Sequence, residues 1–376
     1  MPKIAIDYTP AYEQGGGIGR YVRELVSALA NQDAVTDYRL FVSGAQHKNL
    51  PPAPRTNFVW KPTRINPKWL ARIWHRAQIP IPIEIFTGKN DLFHATDFVL
   101  PPVRSNTRTL LTVHDLSFVR VPEAASPSLK AYLDIVVPRS AKRADHILAD
   151  SQATKEDLIE LYRLPENKIT VLLSGVDQRF HHLSASLLTM RTKYQIEKRP
   201  YIFSVGTVQP RKNYVRLVDA LANLRNRGYD IDLVIAGGRG WLEDPLHHII
   251  TDKKMQEHVH LIGFVEDADL PALYSAATCV AFPSLYEGFG LPILEGMACG
   301  TPVLTSQVSS LPEVAGDAAI MVDPYNVDEI IDGLQRLISD TSLRSDLIQK
   351  GYEQAKRFTW KASAKYLQQV YAQVLG

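Results

Sequence analysis

The stretch YIFSVGTVQPRKN, residues 201–213, contains a short β-rich run, a turn and the start of a helix. The run predicts a strand that ends at Gly206. Two adjacent cations, Arg211 and Lys212, follow the strand, and Asn213 stands where a helix cap is favoured. A strand, a loop and a helix in this order are typical of a parallel α/β sheet, in which ligands bind beyond the carboxyl ends of the strands.

The same alternation runs along the whole chain of 376 residues and falls into two series. The first series predicts the strands Lys3–Tyr8, Tyr38–Gly44, Asn57–Lys61, Asp91–Thr96, Arg108–His114, His146–Asp150 and Lys168–Leu173. The second predicts the strands Tyr201–Gly206, Asp232–Ala236, Val259–Phe264, Cys279–Pro283, Pro302–Thr305 and Ala319–Val322. We therefore expect an α/β protein with two Rossmann-like doubly wound domains, residues 1–178 and 179–358, that face each other across an interdomain cleft.

Composition excludes several classes of protein. Lys and Arg total 42 against 40 Asp and Glu, a net charge of +2, whereas a dedicated nucleic-acid binder would show a strongly basic domain. The two cysteines, Cys279 and Cys299, lack metal-ligand spacing and are expected to be buried thiols in a reducing compartment. The N-terminus lacks the features of a signal peptide, and no run approaches the ~18 apolar residues of a membrane span. The expected location is the cytoplasm.

Positive charge is concentrated in the first half. Residues 1–174 hold 22 Lys and Arg against 17 Asp and Glu, and no acid occurs between Asp37 and Glu84. Basic and aromatic residues alternate there: Lys61, Arg64, Lys68, Trp69, Arg72, Trp74 and Arg76. A basic helix with tryptophans at residues 66–76 can lie on an anionic membrane face. The alternative is an ordinary crossover helix that packs Leu70 and Ile73 inward.

A glycine-rich loop at residues 15–19 follows the first strand and opens an amphipathic helix. Glycines there let backbone N–H groups approach an anion at the positive end of the helix. The dinucleotide fingerprint is incomplete, because Val22 stands where a third glycine is required and the next strand ends without an acid for a ribose. A nicotinamide enzyme is therefore disfavoured.

Two further sites follow predicted strands. His114 lies at the carboxyl end of a strand, where catalytic groups of α/β folds gather, although a lone histidine can also be structural. Arg211 offers a bidentate fork and Lys212 a point charge, which together suit a diphosphate whose charge grows as a bond to it breaks. The alternative for this cationic pair is a solvated turn.

The strongest motif is EGFGLPILE, residues 287–295. The preceding strand delivers Glu287 to the end of the sheet, and the loop Gly288–Gly290 is expected to expose backbone N–H groups. Pro292 is expected to begin a helix, and Glu295 to lie one turn inside it, facing the ligand. Two carboxylates around a helix N-terminus can hold sugar hydroxyls and a ribose, with the amides at a phosphate; the alternative is that the acids are simple caps.

Together these motifs resemble the retaining glycosyltransferases of the GT-B fold, in the large family four with its Glu-x7-Glu signature. The resemblance covers nearly the whole chain. It rests on the glycine-rich first loop, His114, Val205–Asn213, Ala236–Gly238, Glu287–Glu295 and Ala298–Val303. In this family the C-terminal segment returns from the second domain to the first. This implies that a helix at about 359–376 completes the first domain.

The resemblance implies a role for each matching position. His114, Glu287, Arg211 and Lys212 would be catalytic: the histidine contacts the transferred sugar, and the two cations stabilise the leaving diphosphate. The donor site would comprise Gly16, Gly17, Thr207, Arg211, Lys212, Phe264, Val265, Glu287, Gly288, Phe289, Gly290, Leu291 and Glu295. Glu287 would hold sugar hydroxyls and Glu295 the ribose. Separately from the resemblance, Asp97, Trp69, Arg72 and Arg76 are expected on the acceptor or membrane side.

The implied reaction moves glucose or mannose from UDP-glucose or GDP-mannose to a hydroxyl of a saccharide or lipid-linked saccharide, in envelope or exported polysaccharide synthesis. The family retains the anomeric configuration and uses no metal, so no cofactor is predicted. The partners would be the nucleoside-diphosphate sugar, the acceptor and an anionic membrane surface, with no nucleic acid. Two alternatives stay open: a nucleotide-sugar epimerase, and a non-catalytic nucleotide-binding subunit of a membrane transferase.

Overall fold

The computed structural model describes residues 1–183, 190, 192–196 and 199–376. It divides into two compact units. The first comprises Met1–Leu116, Ala131–Gly175 and Trp360–Gly376, and the second comprises Ser117–Lys130 and Val176–Thr359. The start of the predicted second domain, residues 179–198, lies partly outside the described residues. The C-terminal helix belongs to the first unit, as the family resemblance implied.

The segment Ser117–Lys130 belongs to the second unit, which the sequence analysis did not predict. Trp241 donates its indole N–H to the carbonyl of Ala124 at 2.7 Å. Val121 and Ala124 are buried in one cluster with Tyr286. The predicted first domain, residues 1–178, therefore includes an excursion that packs on the other unit.

The first unit contains a seven-stranded parallel sheet in the order β3-β2-β1-β4-β5-β6-β7. Its strands are β1 Lys3–Asp7, β2 Asp37–Ser43, β3 Phe58–Thr63, β4 Leu92–Ala95, β5 Arg108–Val113, β6 His146–Ala149 and β7 Ile169–Val171. The helices up to this point in the chain are α1 Thr9–Glu13, α2 Gly17–Gln32, α3 Pro67–Ala71, α4 Glu84–Thr87, α5 Ser117–Arg120, α6 Pro127–Arg143 and α7 Gln152–Tyr162.

The second unit contains a six-stranded parallel sheet in the order β10-β9-β8-β11-β12-β13. Its strands are β8 Tyr201–Val205, β9 Asp232–Ala236, β10 Val259–Gly263, β11 Cys279–Phe282, β12 Val303–Ser306 and β13 Ala319–Val322. The remaining helices are α8 Tyr214–Asn226, α9 Asp244–Asp252, α10 Leu270–Ala276, α11 Leu291–Ala298, α12 Leu311–Ala315, α13 Val327–Ser339, α14 Thr341–Lys356 and α15 Trp360–Leu375.

The predicted fold class is confirmed, and each of the thirteen predicted strands is observed within two residues at either end. The inner strands are buried on both faces and therefore show as continuous apolar runs, which is the pattern of a parallel sheet, whereas the edge strands β3, β7, β10 and β13 are partly exposed. Helix α15 packs on the first sheet, where the Tyr371 hydroxyl lies 2.8 Å from Nδ1 of the buried His94. Both cysteines are buried free thiols. Within the described ranges, no helix combines the length and the apolar character needed to cross a bilayer.

Candidate functional site

The second sheet reverses its strand order between β8 and β11. These two strands pair through Phe203 and Val280. The strand after β8, β9, lies on one side of the pair, and the strand after β11, β12, lies on the other side. The loops after the two strands therefore diverge and leave a crevice at their carboxyl ends, where α/β sheets bind ligands. The β8 loop carries Arg211 and Lys212, and the β11 loop carries Glu287.

The three charged residues predicted to be catalytic in this unit lie in direct contact. Arg211 Nη1 is 2.5 Å from Glu287 Oε2, and it also donates to the Tyr286 carbonyl at 2.7 Å. Lys212 Nζ is 2.7 Å from Glu287 Oε1 and 4.7 Å from the centre of the Phe282 ring. The three side chains are at most 16% exposed. We call Arg211, Lys212 and Glu287 the charged triad.

Glu287 is ionised within the charged triad. Burial alone would raise the pKa of this carboxyl, but the charges of Arg211 and Lys212 outweigh it, and its pKa lies below the ordinary value. The triad therefore holds two cations and one anion. Its net positive charge suits a ligand that is more negative than a single carboxylate, such as a diphosphate.

Two glycines allow the Lys212 side chain to lie against the backbone. At Gly206 the φ angle is +152°, and a Cβ there would lie 2.8 Å from Lys212 Cε. A Cβ on Gly237 would lie 2.0 Å from the carbonyl oxygen of Gly206. Larger residues at either position would move the lysine or separate the two loops.

The loop after β11 was predicted to expose backbone N–H groups to a ligand, and this remains a prediction. Gly288, Phe289 and Gly290 are buried. The Ser310 hydroxyl, with its one hydrogen, lies 2.9 Å from the Glu287 carbonyl oxygen and 2.6 Å from the Phe289 carbonyl oxygen, and it holds the loop inside the unit. Ser309 Oγ accepts from the Glu287 amide at 3.0 Å. The sequence analysis did not identify these serines, which follow β12, because their contacts depend on tertiary structure.

Asn213 precedes α8, but its side chain does not cap the helix, so that prediction is wrong. Its backbone is left-handed, with φ at 61°. Its side-chain amide donates to the carbonyls of Pro283 and Pro324 at 3.0 and 2.7 Å. Asn213 thus joins the loop after β8 to the loop after β11 and fixes the two halves of the charged triad.

Glu295 lies in α11, which begins at Leu291 with Pro292 as its second residue. The glutamate is only 2% exposed, and its Oε2 accepts from the Tyr274 hydroxyl at 2.8 Å. Glu295 is therefore enclosed within the unit beside Tyr274. Its contact with a ribose remains a prediction.

The residues assigned to the nucleotide base differ in exposure. Phe264, directly after β10, is 61% exposed, whereas Val265 is buried. Thr207, directly after β8, is partly exposed. Phe264 can therefore offer a ring face to a base, and Val265 can offer only backbone groups. Both roles remain predictions.

In the first unit, His114 follows β5 and is 5% exposed. Its Nδ1 lies 2.8 Å from Asp150 Oδ2, and its Nε2 lies 2.9 Å from the Thr96 carbonyl oxygen. A carbonyl only accepts, so Nε2 carries a hydrogen. Burial alone would lower the pKa of His114, but the charge and hydrogen bond of Asp150 and the charge of Asp97 outweigh it and raise the pKa to about 9.

His114 is thus a buried imidazolium whose two ring nitrogens both donate within the first unit. A contact between either nitrogen and a sugar would require one of these bonds to break. The sequence analysis did not identify Asp150 as a site residue. Asp150 lies at the carboxyl end of β6, the strand next to β5, where site residues of a parallel sheet are expected. His114 and the charged triad lie in different units, and their joint action on one donor remains a prediction.

The first-loop glycines have two different roles. Helix α2 begins at Gly17 with Gly16 as its N-cap, and a Cβ at either position would meet no atom within 4 Å. A Cβ at Gly19 would lie 1.9 Å from the Gln14 carbonyl oxygen. Gly16 and Gly17 therefore keep the helix N-terminus open, while Gly19 is required for packing. Asp97 lies beside this loop, where its Oδ2 accepts from Gln14 Nε2 at 3.3 Å.

The predicted basic helix comprises α3 and a π-helical turn, Arg72–Arg76. Leu70 and Trp74 are buried, Arg72 and Arg76 are exposed, and Trp69 is 58% exposed. The Arg72 guanidinium carbon lies 4.8 Å from the centre of the Trp69 ring. The segment packs inward like a crossover helix and also presents a basic, aromatic face to solvent.

Two Asp-x-Asp sequences occur in the second unit, at residues 230–232 and 267–269. The second aspartate of each lies in contact with other side chains of the protein. Asp232 lies 3.0 and 3.1 Å from ring nitrogens of His258 and His260. Asp269 accepts from Lys193 and Tyr194 at 2.6 and 2.5 Å. In the described part of the chain, no group of three His, Cys, Asp or Glu side chains is arranged to hold a metal ion. Metal independence remains a prediction.

Comparison with known proteins places this geometry in a family. The family described as glycosyl transferases group 1 matches residues 188–354, and glycosyltransferase family 4 matches residues 15–180. The O-antigen chain mannosyltransferase B of Escherichia coli is 32% identical over 92% of this chain and 93% of its own length. The chain belongs to the group 1 glycosyltransferases of family 4.

Solved structures show the fold of this transferase. Sucrose-phosphate synthase from Thermosynechococcus elongatus superimposes with a TM-score of 0.79, at 21% identity over 100% of this chain and 99% of the other. HepE from Anabaena, solved in complex with UDP and glucose, superimposes with a TM-score of 0.74, at 19% identity over 99% of both chains. The two parallel sheets are those of the GT-B fold, and the resemblance predicted from the sequence is confirmed.

Proposed function

We propose that this transferase moves mannose from GDP-mannose to a hydroxyl of a saccharide or lipid-linked saccharide, in the synthesis of an envelope or exported polysaccharide. The identity to a mannosyltransferase over nearly the whole chain supports mannose as the sugar. UDP-glucose is the second donor to test, because Phe264 offers a ring face to either base. Family membership favours transfer over epimerisation.

The observation that carries this proposal is the charged triad. Arg211 and Lys212 are fixed within 2.7 Å of one carboxylate, at the strand-order reversal where the fold binds ligands. A bound diphosphate would share these cations with Glu287. As the bond to the sugar breaks, the charge on the diphosphate grows, and preorganised cations stabilise that charge more than they stabilise the intact donor.

We propose retention by same-face attack, in which a leaving phosphate oxygen accepts the proton of the acceptor hydroxyl. Glu287 is the carboxylate that a double displacement would need. Each of its oxygens is bound by a cation, Oε1 by Lys212 and Oε2 by Arg211. These bonds stabilise the ionised form and weaken it as a nucleophile. Glu287 would instead accept hydrogen bonds from sugar hydroxyls.

We assign His114 a positioning and electrostatic role. Its imidazolium is fixed by Asp150 and Thr96 at the end of β5. Its positive charge would favour a transition state in which negative charge builds on the donor phosphates. The reaction would need no metal, because Arg211, Lys212 and His114 supply the positive charge.

The proposal is tested by incubating the transferase with GDP-mannose and a synthetic mannoside that bears an apolar aglycone. We expect an α-linked mannoside, detected by NMR from its anomeric carbon coupling, because GDP-mannose is itself an α-glycoside. A β-linked product would refute retention. A glycosyl-enzyme on Glu287, trapped in the wild type and detected by mass spectrometry, would refute same-face attack.

We also propose that residues 66–76 bind an anionic membrane surface, which would bring the enzyme to a lipid-linked acceptor. The exposed Trp69 ring and the exposed Arg72 and Arg76 support this role. Tryptophan favours the interfacial region of a bilayer, and basic side chains are attracted to anionic headgroups. The enzyme would then act at the cytoplasmic face of the membrane.

A further inference from the structure

A second basic site lies in the first unit. A cavity of about 730 Å³ is bounded by the π-helical turn, the loop before β5 and helix α6. Four arginines line it: Arg104, Arg108, Arg139 and Arg143. Its residues precede β5 and β6, so it lies at the amino ends of these strands. The predicted site residues Asp97 and His114 lie beyond the carboxyl ends of β4 and β5.

Asp145 is the one acidic residue that lines this cavity, and it is already engaged. Its Oδ2 accepts from the Thr109 amide at 2.8 Å and the Thr109 hydroxyl at 2.7 Å. Its Oδ1 lies 3.5 Å from Arg108 Nη1. Asp145 therefore balances the charge of Arg108, and three arginines remain without a carboxylate of the cavity to balance them.

The arginines stand on a rigid frame. Arg143 Nη2 donates to the carbonyls of Leu100 and Pro101 at 2.7 and 2.6 Å. The buried Glu84 accepts from the Arg104 amide at 3.1 Å and from the Thr107 hydroxyl at 2.6 Å, which anchors the loop that bears Arg104. Across the described chain, no carboxylate lies within ion-pair distance of the Arg104 or Arg139 guanidinium.

His75 shows that the arginine charges act inside this cavity. Burial, followed by the charges of Arg143 and Arg139, lowers the pKa of this imidazole to about 4. The charges of Arg139 and Arg143 therefore reach this cavity, where they would attract an anion. Part of the cavity wall is apolar, with Trp74, Leu100 and Val136 among its members.

We propose that this cavity is a binding site for a phosphate ester, in which Arg104, Arg139 and Arg143 hold the phosphate and the apolar wall receives its organic substituent. Guanidinium groups bind phosphate oxygens in bidentate geometry, and three of them line this one cavity. The phosphate could come from a soluble ester or from the headgroup of an anionic phospholipid. The site is independent of the proposed transfer reaction.

The test measures binding of glycerol 3-phosphate by calorimetry, in a Lys212→Ala background so that the charged triad does not contribute. The double variant Arg104→Gln/Arg139→Gln removes two arginines that make no described ion pair. The matched control is Lys48→Gln/Lys89→Gln, which removes the same charge from exposed positions of the same unit. We expect saturable binding that weakens at least about tenfold in the arginine variant and is unchanged in the control.

A second arm identifies the source of the phosphate. Vesicles of phosphatidylcholine with phosphatidylglycerol are sedimented with the same proteins. If the arginine variant loses vesicle binding and the control does not, the phosphate is that of a lipid headgroup. If the arginine variant loses glycerol 3-phosphate binding but keeps vesicle binding, the phosphate is that of a soluble ester. Movement of the His75 imidazole NMR signals on saturation would place either ligand in this cavity. The proposal fails if neither probe binds, or if the arginine variant and the control behave alike.

Discussion

At the scale of single residues, the ion pair between His114 and Asp150 makes a prediction about pH. The pKa of His114 is raised to about 9 in the folded protein, against an ordinary value of about 6.5. The stabilisation from this raised pKa is therefore complete below pH ~6.5 and is lost as the pH rises through about 9.

The measurement is urea unfolding of the wild type and of His114→Gln across this range. We expect the difference in free energy of unfolding to shrink by up to about 3 kcal/mol between pH ~6.5 and ~9. The exposed His247→Gln serves as the control for general effects of pH. A difference that stayed constant across the range would show that His114 is not held as a cation.

The residues that the sequence predicted best are those that follow strands. Arg211, Lys212 and Glu287 meet because the ends of neighbouring parallel strands lie together, and a sequence pattern can show where strands end. Ser310 and Tyr274 could not be predicted in this way. They act through contacts between distant segments, and nothing in their local sequence distinguishes them from ordinary helix residues.

At the scale of elements, two glycines of the first loop should respond in opposite ways to the same substitution. Gly19→Ala places a methyl 1.9 Å from a backbone oxygen, so we expect a loss of about 1–3 kcal/mol in the free energy of unfolding. Gly17→Ala meets open space in the first turn of α2 and should leave stability unchanged or slightly raised.

Chemical denaturation checks both variants, and donor affinity separates their roles. If Gly17 lies against the diphosphate, Gly17→Ala should bind the donor more weakly although it folds normally. Equal stability of the two variants would contradict the packing role of Gly19. Normal donor affinity in Gly17→Ala would remove this helix N-terminus from the donor site.

The segment at residues 66–76 should bind anionic vesicles through its exposed charges. We expect Arg72→Glu/Arg76→Glu to abolish sedimentation with phosphatidylglycerol vesicles, and wild-type binding to weaken as salt is raised. The control Lys48→Glu/Lys89→Glu makes the same change of charge elsewhere in the unit and should still bind. Vesicle binding that resists salt, or that survives the arginine substitutions, would contradict a membrane role.

Strands were easier to predict than loops at this scale. Strands of a parallel sheet are apolar throughout because both faces are buried, so their runs are visible in the sequence. The loop Gly288–Gly290 was predicted to present backbone N–H groups to a ligand. Its burial could not be predicted, because the contacts of Ser310 with the Glu287 and Phe289 carbonyls depend on tertiary structure.

At the scale of the whole molecule, the two α/β series predicted the two sheets, but the chain crosses between the units more often than predicted. The excursion Ser117–Lys130 follows β5 directly, and its short helices show no composition change that would mark a domain boundary. Only contacts such as Trp241 with Ala124 reveal where it packs.

The most direct test of the central claim is nucleotide release from a panel of GDP-, UDP- and ADP-sugars without acceptor. Wild type is compared with Lys212→Ala and with the exposed control Lys356→Ala. We expect slow release from GDP-mannose in preference to the other donors, reduced roughly a hundredfold in Lys212→Ala and unchanged in Lys356→Ala. Release that is equal in wild type and Lys212→Ala would contradict the account, because the charged triad would then have no part in breaking the bond between sugar and diphosphate.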